Sequence, residues 1–220
     1  MNVPSAAARP APAEPSKRAM ILRAALELFA ERGFHGTTVP AVAERAGVGA
    51  GTIYRHFDSK EALVNDLYRE LKATFMRRLL EDFPFDATPR EQFRAFFLRL
   101  SGYARGDRHG FAFLELHHHA DYLDEASRDV ERRSLQPFVD FCRRSREAGI
   151  TKPLPPAVLM AMVWGTFSGL VKAHWLGHLE LTDEIVGQAE ACAWDAIARD
   201  GAARTKHGGT HGRGKRNAWK

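Results

Sequence analysis

Between about residues 16 and 199, apolar positions recur every three or four residues, the period of one helix face. Alternation with period two is absent, and no strand is expected. Ile21, Ala25, Leu28 and Phe29, widened by Leu22 and Leu26, form the stripe of a first helix from about Ser16 to Arg32. Ser16 suits its N-cap and Gly33 a left-handed stop. A short helix is predicted over Val39–Ala46 with Thr38 as N-cap, then a Gly47-Val48-Gly49 turn, then a very short helix over about Ala50–His56. Asp58, with Glu61 three residues on, predicts a capping-box start for a helix carried by Leu63, Leu67, Leu71, Phe75 and Leu79 to about Glu81. Beyond Pro84, helices are predicted over Pro89–Arg105, Phe111–Tyr122, Asp124–Ala148, Pro155–His178 and Thr182–Arg199. Gly106, Gly110, Gly149 and residues 152–156 read as connectors. No fixed repeat period is present, which excludes a solenoid.

This pattern predicts an all-α chain with a helix-turn-helix, the architecture of a DNA-binding domain, over 16–60 and a second helical domain over 61–199. Residues 1–15 are Ala/Pro-rich and 200–220 are Gly-rich and basic, so a disordered arm and a disordered tail are expected.

Two short helices joined by a glycine turn carry the chemistry. Val42, Ala43 and Ala46 give the first a small apolar face, and Val48 plugs the gap between them. Ile53 anchors the second helix and Phe57 closes the core. The outward side is then Gly49, Ala50, Gly51, Thr52 and Arg55, which would enter a major groove. Arg55 is placed at a guanine or at the adjoining phosphate, and the Arg9–Arg18 arm in the minor groove.

Charge supports a partial polyanion contact. Residues 1–60 hold eight Lys/Arg against five Asp/Glu, and residues 199–220 seven against one, within a net charge of +5; the stretch between is acidic. The tail either adds non-specific DNA contacts or is a solubilising extension. Cys142 and Cys192 are the only cysteines, which excludes a disulfide scaffold and a cysteine-based zinc module and fits a reducing compartment. The N-terminus lacks the apolar core of a signal peptide, and no run of about 18 apolar residues was found. The expected location is cytoplasmic, nucleoid-associated when on DNA, with no membrane partner.

The stretch Thr37-Thr38-Val39…Ala43-Glu44-Arg45-Ala46-Gly47-Val48…Thr52-Ile53-Tyr54-Arg55-His56-Phe57-Asp58-Ser59-Lys60-Glu61-Ala62-Leu63 resembles the signature of the tetracycline-repressor (TetR) family. Ala24-Ala25-Leu26-Glu27-Leu28-Phe29 and Gly33-Phe34 extend the resemblance over residues 16–70. The chain departs from the family pattern at Val39-Pro40 and at the bare Gly49-Ala50-Gly51. The resemblance implies phosphate contacts at Thr38, Tyr54, His56 and Lys60, and base-edge contact at Thr52. It implies a homodimer on a palindromic double-stranded DNA operator, a repressor rather than an activator, controlled by a small effector.

Residues 83–199 are rich in aromatics. The resemblance implies an effector cavity there, with Phe97, Phe111, His117, Trp164 and Phe167 as candidate lining, and the composition points to an apolar or aromatic molecule. No cofactor, metal or catalytic residue is assigned. Three adjacent histidines, His117–His119, point about 100° apart and cannot all ligate one metal from one helix. His174 and His178 have the i,i+4 spacing of paired zinc ligands. Gly165 and Gly169, one turn apart inside a long helix, call for close approach of another helix, from a second subunit or from the same one. With Ile185, Ala189 and Cys192 they outline a four-helix dimer interface, the use that the family also implies. Two rival readings are a metal-dependent enzyme using the His-rich helix and an effector-free architectural DNA-binding protein.

Overall fold

The computed structural model describes residues 16–116 and 121–199; the expected arm and tail, and His117 with its neighbours, lie outside the described residues. Among the described residues there are nine helices: α1 Lys17–Arg32, α2 Val39–Ala46, α3 Ala50–Tyr54, α4 Lys60–Leu80, α5 Pro89–Gly106, α6 Arg108–Leu116, α7 Glu125–Glu147, α8 Pro156–Trp175 and α9 Asp183–Ile197. The fold is all-α, as the apolar spacing predicts.

Local chemistry sets most boundaries. The side chains of Ser16, Thr38 and Thr182 accept hydrogen bonds from the backbone N–H groups of Ala19, Ala41 and Ile185, at 3.2, 3.4 and 3.3 Å. Gly33 ends α1 with φ 69°, beyond easy reach of a side-chain-bearing residue. Asp124 accepts from Ser127 N–H at 2.8 Å and opens α7. Thr88 and Glu91 cap α5 reciprocally: Thr88 N–H donates to Glu91 Oε2 at 2.9 Å, and Glu91 N–H to Thr88 Oγ1 at 3.3 Å.

Several expectations need correcting. α4 is capped by Ser59, which accepts from Ala62 N–H at 3.1 Å; Asp58 stands outside the helix. α3 stops at Tyr54, short of His56. Gly110 is not a connector but part of the first turn of α6, whose start is capped by Asp107 Oδ1 accepting from Gly110 N–H at 2.9 Å. A Cβ there would stand 2.5 Å from Asp107 Oδ2 and 2.7 Å from the Tyr103 hydroxyl, which explains the glycine. Tyr122 lies in the turn before α7, not in a helix. One antiparallel bridge, Thr151 to Ala198, exists where no strand pairing was expected; Lys152 N–H donates to Ile197 O at 2.8 Å and Arg199 N–H to Ile150 O at 2.9 Å. α8 reaches the length and apolarity of a membrane span, although Gly165, Thr166, Ser168 and Gly169 interrupt its apolar run. Its buried Leu159, Val163, Phe167 and Val171 nevertheless fall four apart on one stripe.

The described chain divides into two compact units. The first spans residues up to Asp82 together with Arg99–Ser134, and holds α1–α4, the end of α5, α6 and the start of α7. In it α1 packs on α2, α4 and α6 around Ile21, Leu28, Phe29, Leu63 and Phe113. The second, Phe83–Leu98 and Leu135 onward, holds the start of α5, the rest of α7, and α8 packed on α9. Its core includes Phe93, Phe97, Phe167, Val186 and Trp194. There Glu190, fully buried, receives Arg90 Nη2 at 2.9 Å, while Arg90 also lies over the Trp194 ring; a buried carboxylate needs such a charged partner.

Candidate nucleic-acid interface

Gly47 adopts the left-handed conformation at the end of α2, with φ 66°. Its N–H donates to Glu44 O at 3.1 Å and Val48 N–H to Ala43 O at 3.0 Å, so the last carbonyls of α2 are satisfied and the chain turns sharply into α3. Val42, Ala43, Ala46, Ile53 and Phe57 are buried and Val48 is half-buried, as the pattern predicts. Thr37, whose role no local pattern in the sequence marks, is fully buried. Its hydroxyl donates across Gly33 O at 2.9 Å and Leu28 O at 3.1 Å, tying the α1–α2 connection to the end of α1.

The opposite side is open. Thr38, Gly49, Ala50, Gly51, Tyr54, Arg55 and His56 are exposed, Tyr54 by 55%, and Thr52 is half-buried. A Cβ at Gly49 or at Gly51 would meet nothing within 4 Å, and neither residue has a positive φ. The fold therefore has no need of a bare surface here.

Lys60 is placed differently from the other candidates. Half-buried, its ammonium donates to Thr37 O at 2.8 Å and lies 4.0 Å from the centre of the Phe34 ring. Two basic residues also turn toward the protein. Arg18, the end of the expected Arg9–Arg18 arm, pairs with Asp66 at 2.9 Å and with Glu70. Arg45 hydrogen-bonds Glu27 at 3.0 Å, and that bond holds the Glu27 carboxyl below its ordinary range.

Further contacts escaped the sequence reading because their partners are distant in the chain. Phe34 stacks on Tyr122, with ring centres 4.4 Å apart and planes at 21°. Asn65, buried in α4, donates to Glu61 O and Tyr122 O, each at 2.8 Å, and accepts from Asp124 N–H at 2.9 Å. Between α4 and α6, Lys72 and Glu115 face one another in the interior of the first unit.

The described effector candidates belong to both units. Phe97 and Phe167 are fully buried in the second unit and meet edge-on at 5.4 Å, with Trp164 at 6.3 Å from Phe167. Phe111 is fully buried in the first unit, and His117 lies outside the described residues. His174, one of the paired histidines, has its Nδ1 3.3 Å from Leu181 N–H. Of the dimer candidates, Gly165, Gly169 and Cys192 are exposed, and Ile185 and Ala189 half-exposed. A Cβ at Gly165 or Gly169 would meet nothing within 4 Å, so neither glycine serves packing within the described chain.

Comparison with known proteins follows this division of labour. Residues 21–67 match the model for bacterial regulatory proteins of the tetR family, and residues 68–199 the model for the tetracyclin repressor-like C-terminal domain. The chain is 31% identical over 152 residues to the HTH-type transcriptional repressor KstR2 of Mycobacterium tuberculosis, covering 63% of this chain and 70% of that one. It is 40% identical over 76 residues to the fatty acid metabolism regulator protein of Bacillus subtilis, covering 34% and 39% of the two chains. A solved TetR-family putative transcriptional regulator from Vibrio parahaemolyticus superposes with a TM-score of 0.67 and 29% identity, over 84% of this chain and all of that one. With both of its halves matched in order, this chain belongs to the TetR family of bacterial DNA-binding transcriptional regulators.

Proposed function

We propose that this protein is a homodimeric repressor that binds a palindromic DNA operator and releases it on binding a small apolar or aromatic molecule. The bare face at Gly49–Gly51 carries the reading. It stands open for no reason internal to the fold, and it sits between the N-terminus of α2 at Thr38 and the exposed Tyr54, Arg55 and His56. A helix whose leading edge carries only the Ala50 methyl seats deep in a major groove, where Thr52 and Ala50 meet base edges. Thr38, Tyr54 and His56 then contact phosphates on either side, which fixes position rather than sequence.

Dimerisation is proposed through α8 and α9. Val158, Met162, Gly165 and Gly169 form an exposed apolar and small-residue stripe on α8, and two internal glycines facing open space suit close approach of a second copy. Two reading heads related by a two-fold axis call for half-sites about 34–36 Å apart, one helical turn. The aromatic group of Phe97, Trp164 and Phe167 is the proposed effector-facing region.

The test is selection of retained duplexes from random DNA by the full chain. The reading expects a palindromic consensus and two chains per duplex. Recovery of no consensus, or binding as a single chain, would remove it.

A further inference from the structure

We propose that Tyr122 is a positioning residue for DNA reading, setting the start of α2 through a stack that runs Tyr122–Phe34–Lys60–Thr37. The inference rests on the assignment of α2–α3 as the DNA-reading element and adds how that element is held and governed.

Two groups meet on the Phe34 ring. The Tyr122 ring lies on Phe34 at 4.4 Å, nearly parallel. The Lys60 ammonium lies 4.0 Å from the centre of the same Phe34 ring, the placement that the negative ring face rewards. Lys60 then donates to Thr37 O at 2.8 Å, one residue before Thr38, the N-cap of α2. Phe34 is thus in contact with both Tyr122 and Lys60, and the carbonyl that leads into α2 accepts from Lys60.

Tyr122 is itself anchored. Asn65 holds its carbonyl at 2.8 Å and receives Asp124 N–H at 2.9 Å, and Arg69 reaches Asp124 at 3.0 Å and Ser127 Oγ at 3.0 Å. The segment 121–124, which leads into α7, is thus fastened to α4 on one hand and, through Phe34, to the connection that enters α2 on the other. Any displacement of this segment reaches the α2 N-cap through rings and one hydrogen bond, without a DNA contact being touched. It also gives Lys60 an inward task in place of a phosphate contact.

The experiment uses the full chain and its Tyr122→Leu, Tyr122→Phe and Lys60→Met variants. Amide hydrogen exchange is followed at residues 37–57 and, as control, at 183–197. Affinity is measured across salt for a labelled duplex recovered from random DNA with the unaltered chain. Tyr122→Leu should speed exchange at 37–57 and weaken DNA binding by about tenfold each, the scale of one aromatic stack, with α9 exchange unchanged. The dependence of log affinity on log salt should keep its slope, because no phosphate contact is lost. Tyr122→Phe should behave as the unaltered chain, and Lys60→Met should reproduce the loss from the Lys60 end of the stack, even if Tyr122→Leu fails to fold. Unchanged exchange at 37–57 in Lys60→Met overturns the proposal. So does a salt slope lowered by about one in that variant, the mark of a phosphate clamp. If the unaltered chain retains no DNA, the DNA-reading assignment fails, while the exchange measurements still decide whether the stack sets α2.

Discussion

Lys72 Nζ stands 3.6 Å from Glu115 Oε1, with both side chains at least nine-tenths buried between α4 and α6. That separation is too long for a hydrogen bond. Burial pushes the Glu115 carboxyl up to about 7, although the neighbouring Lys72 ammonium favours its charged form. A carboxyl raised in the folded state lends stability that is full below its ordinary value of 4.5 and is lost as pH rises through about 7. The urea midpoint of the full chain should therefore fall between about pH 5 and about pH 8. Glu115→Gln should flatten that fall. An equal fall in the variant would place its origin in other groups.

Gly169 separates folding from assembly. Space beyond its Cβ is open, so Gly169→Leu should leave the folded subunit at least as stable, since glycine inside a helix costs roughly 0.5–1 kcal/mol relative to alanine. Across the proposed dimer contact the same leucine overpacks a helix crossing, typically by ~1–3 kcal/mol. Sedimentation at increasing dilution should show earlier dissociation. A variant that stays dimeric at every dilution would place Gly169 away from the interface.

Thr37 is the internal fastening of the reading head. Thr37→Val keeps the shape and leaves Leu28 O and Gly33 O without their buried donor, at about 1–3 kcal/mol. The loss should appear as a lower denaturation midpoint. Thr37→Ser, which keeps the hydroxyl, should recover most of it. A loss in Thr37→Ser with none in Thr37→Val would assign the effect to the methyl group instead.

Arg55 is exposed on the face that would meet the groove. Arg55→Ala should relax base preference at one position in each selected half-site, by roughly 1–3 kcal/mol. A uniform loss over all sequences would make Arg55 a backbone contact instead.

Helices and the reading head were legible because their signals are local. Ser16, Thr38 and Thr182 act on N–H groups three residues away, and the α2–α3 core of Val42, Ala46 and Ile53 follows from spacing alone. Where two local solutions compete, sequence does not choose. Asp58 and Ser59 are both good caps, and only the fold shows that Ser59 faces Ala62. Gly110 looked like a breaker because its reason is the approach of Tyr103, seven residues away and one helix back. The Phe34–Tyr122 stack joins residues 88 positions apart and carries no local mark at all.

Gly51 gives the most direct test of the claim that the α2–α3 face enters a DNA groove. A side chain there meets nothing in the folded chain, so Gly51→Leu should leave the denaturation midpoint of the chain essentially unmoved. Against DNA recovered by selection with the unaltered chain, the leucine holds α3 off the base edges. The account predicts loss of about 2.7 kcal/mol or more of binding, roughly a hundredfold in affinity. Undiminished affinity in a normally folded Gly51→Leu chain would contradict it.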